Sequence, residues 1–331
     1  MSRLLLVVVL LLAPSVAAAQ ATHLVVVVGL GGDAEHRELF HGWAVQLVDA
    51  AVKGYGLPAD NVHYLGEKTE LDPSLIRARS TRENIESTVR TIAAAAAPTD
   101  QIVLVLIGHG SAQGGEGRFN LPGPDMGAAD FSLLLDQFSD QTVALVNTAS
   151  ASGDFVQAVA APGRTVITAT RSAREQNETV FAGFFVEAFT GEDADLDKDG
   201  RVSLLEAFQY AAREVERHYA DQDLLMTEHA QLDDDGDGEG SDSPVATSGD
   251  GMVAAALFLS AAVPGTTVAD AGPELRALYA RRDSLEGQIL ELRQLRDTLE
   301  TEDYEGRLED LLVEMGLLTR EIRALEEGGP P

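Results

Sequence analysis

Four unbroken runs of β-branched and aliphatic residues, "LVVVV" (24–28), "IVLVLI" (102–107), "VALV" (143–146) and "TVIT" (165–168), limit what this chain can fold into. A strand wetted on one side alternates polar and apolar residues. A run without that alternation needs cover on both faces, which helices on either side of a parallel sheet provide. The segments between the runs have helical character: "HRELFHGWAVQLVDAAVKGYG" (36–56), "TRENIESTVRTIAAAA" (81–96) behind a Thr81 N-cap, and "DFSLLLDQFS" (130–139). "NVHYLGE" (61–67) reads as a further strand. The alternation predicts an α/β fold, a doubly wound and mostly parallel sheet with helices on both faces. Helices are expected again at 181–191 and 204–221, and "GMVAAALFLSAAV" (251–263) is expected as a last strand closing one edge.

The ends of the chain differ in kind. Residues 1–19 combine a basic Arg3, an apolar run and Ala17-Ala18-Ala19, the pattern of a secretory signal peptide, so the protein is expected to be exported, periplasmic or secreted. The α/β domain would span 20–263 and a linker 264–272. Over 273–327, Leu275, Leu278, Leu285, Ile289, Leu292, Leu295 and Leu299, then Leu308, Leu311, Leu312, Met315, Leu318, Ile322 and Leu325, recur at three- and four-residue spacing. Such stripes predict two amphipathic helices in an antiparallel, coiled-coil-like hairpin that breaks at "TEDYEG" (301–306), docks on the domain or self-associates, and leaves a frayed tail at 328–331. No run is long enough to span a membrane in the mature chain.

Charge narrows the chemistry. The chain has 54 acidic against 24 basic residues, a formal charge of -30, which repels nucleic acid and anionic lipid and favours cations. It contains no cysteine, which excludes thiol catalysis and disulfides. "DADLDKDGRVSLLEAF" meets every side-chain position of a twelve-residue calcium loop: Asp195, Asp197 and Asp199 at positions 1, 3 and 5, Gly200 at the sharp turn, Arg201 through its carbonyl, Ser203, and Glu206 at position 12. One structural calcium ion is expected there. A second acidic loop at 233–243 begins the same way with Asp233, Asp235 and Asp237, but Pro244 stands where the closing Glu belongs. A weak second site and a flexible acidic loop both fit that pattern.

Other signals carry less. "GLGGDA" (29–34) mimics a dinucleotide fingerprint, but Asp33 and Glu35 would crowd acid at the helix N-terminus where a pyrophosphate must sit, so it reads as a tight strand-to-helix turn. His36 and His41 are five apart, off one helical face, and do not make a zinc pair.

Two strand ends hold the remaining candidates, "LIGHGS" with His109 and Gly110, and "NTASASGDF" with Ser150. Parallel strands present their C-terminal ends to one crevice, where these residues could meet. The order of apolar strand, "GHG", helix, apolar strand, "ASASG", "TVITATRS" and "NETVFAGFFVEAF" resembles the caspase-like and legumain-like cysteine peptidases over roughly residues 22–262. The resemblance implies that His109 is the dyad histidine, that Gly110 is the oxyanion position, and that Ser150 replaces the nucleophilic Cys. Arg171, Ser172 and Arg174 would form the wall of a specificity pocket. A thiol of pKa about 8.5 becomes a standing thiolate beside a histidine, whereas a serine needs a histidine in contact with it, oriented by a third group. The expectation is therefore an inactive peptidase homologue that binds calcium and a peptide or protein partner. An active hydrolase using Ser150 and His109, and a calcium-dependent structural or adhesion module, stand as alternatives.

Overall fold

The apolar runs pair side by side in the computed structural model, which describes residues 20–191, 193–196, 198, 200–259, 273–294 and 299–326. The expected signal peptide, linker and tail lie outside these residues, as do Asp197 and Asp199. Strands β1 (Thr22–Val28), β2 (Val62–Gly66), β3 (Ile76–Arg79), β4 (Gln101–Ile107), β8 (Thr142–Asn147), β9 (Arg164–Thr168) and β10 (Gln231–Asp233) form one sheet in the order β10-β9-β8-β4-β1-β2-β3. All neighbours are parallel except β10, which runs antiparallel to β9. A small antiparallel sheet of β5 (Gly110–Gln113), β6 (Glu116–Phe119) and β7 (Met126–Gly127) follows β4.

The two faces of the large sheet explain the missing alternation. Leu24, Val26, Val103, Val105, Ala144 and Val146 pack with α1 (Ala34–Asp49), α5 (Phe181–Ala188) and α6 (Leu204–Asp221). Val25, Val27, Ile102, Leu104, Val143 and Leu145 face the other way, onto α2 (Arg82–Ala95), α3 (Ala128–Leu135) and α4 (Asp154–Val159). Asp33 caps α1 by accepting the His36 N–H at 2.9 Å, and Thr81 caps α2. The chain winds outward from β1 to β3, returns to β4 beside β1, and winds the other way. The switch in direction leaves a crevice beyond the C-terminal ends of β1 and β4, just before His109.

Over the described part of 251–263 the expected strand is absent. Residues 251–259 form a turn with a 3-10 segment at Ala254–Ala256, and only Phe258 makes a bridge, to Ser203. Asp234 causes this by accepting N–H bonds from Gly251, Val253 and Ala254 at 2.7–2.9 Å, which curls the backbone away from an extended path. Residues 260–263 of that run lie outside the described residues. The sheet edge is instead the three-residue β10.

Helices α7 (Pro273–Gln294) and α8 (Thr301–Glu326) pack around Tyr279, Leu285, Leu318 and Ile322. The "TEDYEG" segment is the start of α8 rather than the break between the helices. No helix among the described residues is long and apolar enough to cross a membrane.

Candidate functional site

β4 and β8 are adjacent and in register, with Leu106 opposite Asn147, so the segments leaving them emerge side by side. His109 and Ser150 lie on those segments and line one small cavity with Phe40, Trp43, Thr179 and Glu178. Its interior of about 10 Å³ has room for roughly one water molecule.

Ser150 is 5% exposed, and its hydroxyl is fully engaged by backbone. Oγ accepts the Gly110 N–H at 3.3 Å and donates to the Gly110 carbonyl at 3.1 Å. The next residue, Ala151, has φ +55°, a left-handed conformation that costs a residue with a Cβ about 1 kcal/mol or more. The turn tolerates it because its surroundings fix it. The Ala151 N–H donates to the Glu175 carbonyl at 2.7 Å, and Thr170 Oγ1 accepts from the N–H groups of Ser152 and Gly153.

The small sheet presses directly on this turn. A Cβ on Gly110 would overlap the Ser150 carbonyl oxygen, and one on Gly117 would overlap that of Ala151. These two glycines are requirements of close approach.

The His109 ring makes no hydrogen bond among the described residues. It sits edge-on to His36, with ring centroids 4.8 Å apart, and to Phe40 at 4.9 Å. The carboxylates that could orient an imidazole are taken up by the neighbouring one: His36 Nδ1 pairs with Asp33 at 2.9 Å and His36 Nε2 with Glu178 at 2.9 Å. The hydrogen bond to Asp33 holds the His36 imidazole above its ordinary pKa, with Glu178 adding to the effect. The His36 backbone N–H, with its side chain, holds Asp33 below the usual carboxylate range.

Arg171, Ser172 and Arg174 lie on the turn that flanks Ser150. Gly153 packs against the Arg171–Ser172 peptide, and Asp154 accepts the Ala173 N–H at 3.2 Å. Arg171 and Arg174 are exposed. Glu175 organises the turn by accepting the Arg171 N–H at 2.9 Å and pairing with His229 Nδ1 at 2.6 Å. His36, Glu175 and His229 had no motif to mark them, and Glu178 lay inside the "NETVFAGFFVEAF" stretch without a role of its own. His36 stood out only as half of a zinc pair that the spacing ruled out.

The first acidic loop is closed at both ends. Asp195 Oδ2 accepts the Gly200 N–H at 3.0 Å, where Gly200 has φ +88°. Glu206 Oε1 accepts the Leu196 N–H at 2.9 Å, and Oε2 accepts from the Ser203 N–H and hydroxyl at 2.9 and 2.8 Å. The buried Arg201 guanidinium lies over the Phe258 ring, 3.8 Å from its centroid. In the second loop, one carboxylate oxygen from each of Asp233, Asp235 and Asp237 lies within 4.8 Å of the others, a grouping that could hold a metal ion.

No family model matches the chain, and no curated protein matches it. Among solved structures it is similar to the crystal structure of protein GSU0716 from Geobacter sulfurreducens, at 12% identity and a TM-score of 0.38, over 64% of this chain and 92% of that one.

Proposed function

We propose that this chain is an exported, catalytically inactive homologue of the caspase-like and legumain-like peptidases, which binds a structural calcium ion and a peptide or protein partner. The strand order with an antiparallel edge strand, the small sheet directly after His109, and the neighbouring positions of His109 and Ser150 support the family reading. The observation that carries the inactivity is the bonding of Ser150. Its hydroxyl proton goes to the Gly110 carbonyl, and the Gly110 N–H, the oxyanion donor in this reading, is spent on Ser150 Oγ. Among the described residues His109 makes no hydrogen bond to that hydroxyl and none to a carboxylate that would orient it, the two contacts on which activation of a serine depends.

The residues of the first loop suit calcium. They offer oxygen donors only, and the bonds of Asp195 to Gly200 and of Glu206 to Leu196 draw the first and last acidic positions into one turn. A bound ion would supply charge compensation and fix the loop ahead of α6. The remaining members of the predicted set, Asp197 and Asp199, lie outside the described residues.

Cleavage of a diverse fluorogenic peptide library by the mature protein, with and without calcium, tests the reading. Turnover by the parent no greater than that of Ser150→Ala is the expected result. Parent activity that disappears in Ser150→Ala would overturn it in favour of a serine hydrolase.

A further inference from the structure

The second acidic loop contains a buried carboxylate that its sequence does not reveal. Asp233 ends β10 and is 0% exposed. Its Oδ2 accepts the Gly238 N–H at 2.7 Å, but its buried Oδ1 has no hydrogen-bond partner among the described residues. A carboxylate oxygen removed from water and left unpaired is costly, and native structures rarely keep one without a ligand. Asp235 and Asp237 each commit one oxygen to a backbone N–H, of Asp237 and Glu239 respectively, and stand beside Asp233 at the loop surface.

Among the described residues no basic side chain neutralises this charge. Asp233, Asp235, Asp237 and Asp250 form no ion pair among the described residues, and the stretch from Gln231 to Leu259 holds seven acidic residues and no Lys, Arg or His. Burial, with the charges of Asp250, Asp235 and Asp237, pushes the Asp233 carboxyl up to about 6. Burial likewise raises Asp250, which also feels Asp235 and Asp237. Burial pushes Asp234 up to about 6 as well, but its bonding differs: three N–H bonds from the 251–254 turn satisfy its carboxylate, and Asp250 accepts the Asp234 N–H at 3.0 Å, folding the far end of the loop back over the cluster.

We propose that Asp233, Asp235 and Asp237 hold a second hard divalent cation of the calcium class, with the buried Asp233 Oδ1 as its inner ligand and no closing Glu. An all-oxygen set of irregular geometry suits calcium better than magnesium, which requires a near-ideal octahedron. The ion is a staple for the sheet edge. Asp233 pairs with Val166 on β9, while Gly236 and Gly238 rest on Ala161 and Gln157, so binding fixes the edge strand and the turn between α4 and β9.

Calorimetric titration of the full mature chain with calcium, carried to millimolar concentration, tests this. The parent and the double variant Asp235→Asn/Asp237→Asn are compared, with Glu206→Gln to silence the first loop. Asp235 and Asp237 are exposed, so the double variant should fold, which its circular dichroism checks. The expected result is two equivalents in the parent and one in the double variant. One equivalent in the parent that is lost in the double variant and kept in Glu206→Gln would also support this site, and would defeat the calcium reading of the first loop instead. Equal stoichiometry in the parent and the double variant would overturn the inference.

Discussion

The Ser150 hydroxyl and the Gly110 peptide satisfy each other, at 3.3 Å from the Gly110 N–H to Oγ and 3.1 Å from Oγ to the Gly110 carbonyl. Through this closed pair Ser150 ties the end of β8 to the start of the small sheet. Ser150→Ala should therefore lower unfolding stability by about 1 kcal/mol, the usual worth of a buried hydroxyl with both bonds made. Chemical denaturation of the two proteins measures it. A variant as stable as the parent would mean that the pair contributes nothing.

The same contact makes a sharper prediction for glycine. Gly110→Ala and Gly117→Ala would each drive a methyl group into a carbonyl oxygen of the Ser150–Ala151 turn, and should cost about 1–3 kcal/mol or more. Gly42→Ala is the control. Gly42 lies inside α1 with open space where its Cβ would go, so alanine there should stabilise by roughly 0.5–1 kcal/mol. Thermal melts of the three variants should move in these opposite directions.

The large sheet was legible because its central strands are buried on both faces, which leaves a signature no other element shares. The small sheet was not. "GSAQ" and "EGRF" carry no apolar pattern, and their pairing depends on Gly110 and Gly117 approaching the Ser150 turn, a contact between residues about 40 positions apart. The run from 251 to 263 misled for the opposite reason: its composition suits a strand, but Asp234 captures the N–H groups of Gly251, Val253 and Ala254 and curls the described part, 251–259. At the site, His109 and Ser150 could be paired from sequence because parallel strands share a crevice. His36 could not, since its place beside His109 follows from α1 starting at the end of the strand next to β4.

Glu206 has a role that precedes any ion. It completes the capping box with Ser203 at the start of α6 and reaches back to the Leu196 N–H. Without calcium, Glu206→Ala should cost about 2 kcal/mol, from the lost cap and the N–H groups left without an acceptor. Glu206→Gln keeps an acceptor and should cost less. Denaturation in the presence of chelator separates this capping contribution from any metal effect, and equal losses in the two variants would refute the distinction.

Glu228 should make stability fall as the pH rises. Its side chain is 2% exposed and accepts the Val180 and Phe181 N–H groups at 2.9 and 3.2 Å, where the chain enters α5 beside the His109 cavity. Burial nonetheless dominates over these bonds, and with the charge of Glu175 nearby the carboxyl is pushed up from 4.5 to about 7. Between those values the folded protein binds a proton that the unfolded chain has released. The stabilisation is complete below about pH 4.5 and is lost as the pH passes through 7. Glu228→Gln mimics the protonated form. Relative to the parent it should gain roughly 1–3 kcal/mol between pH 4.5 and pH 8, seen as a shallower pH slope, on top of a constant loss from the one N–H that the amide NH2 cannot accept. Urea denaturation of both proteins across this range decides the matter; parallel stability curves would mean that Glu228 ionises at its ordinary pKa in the folded protein.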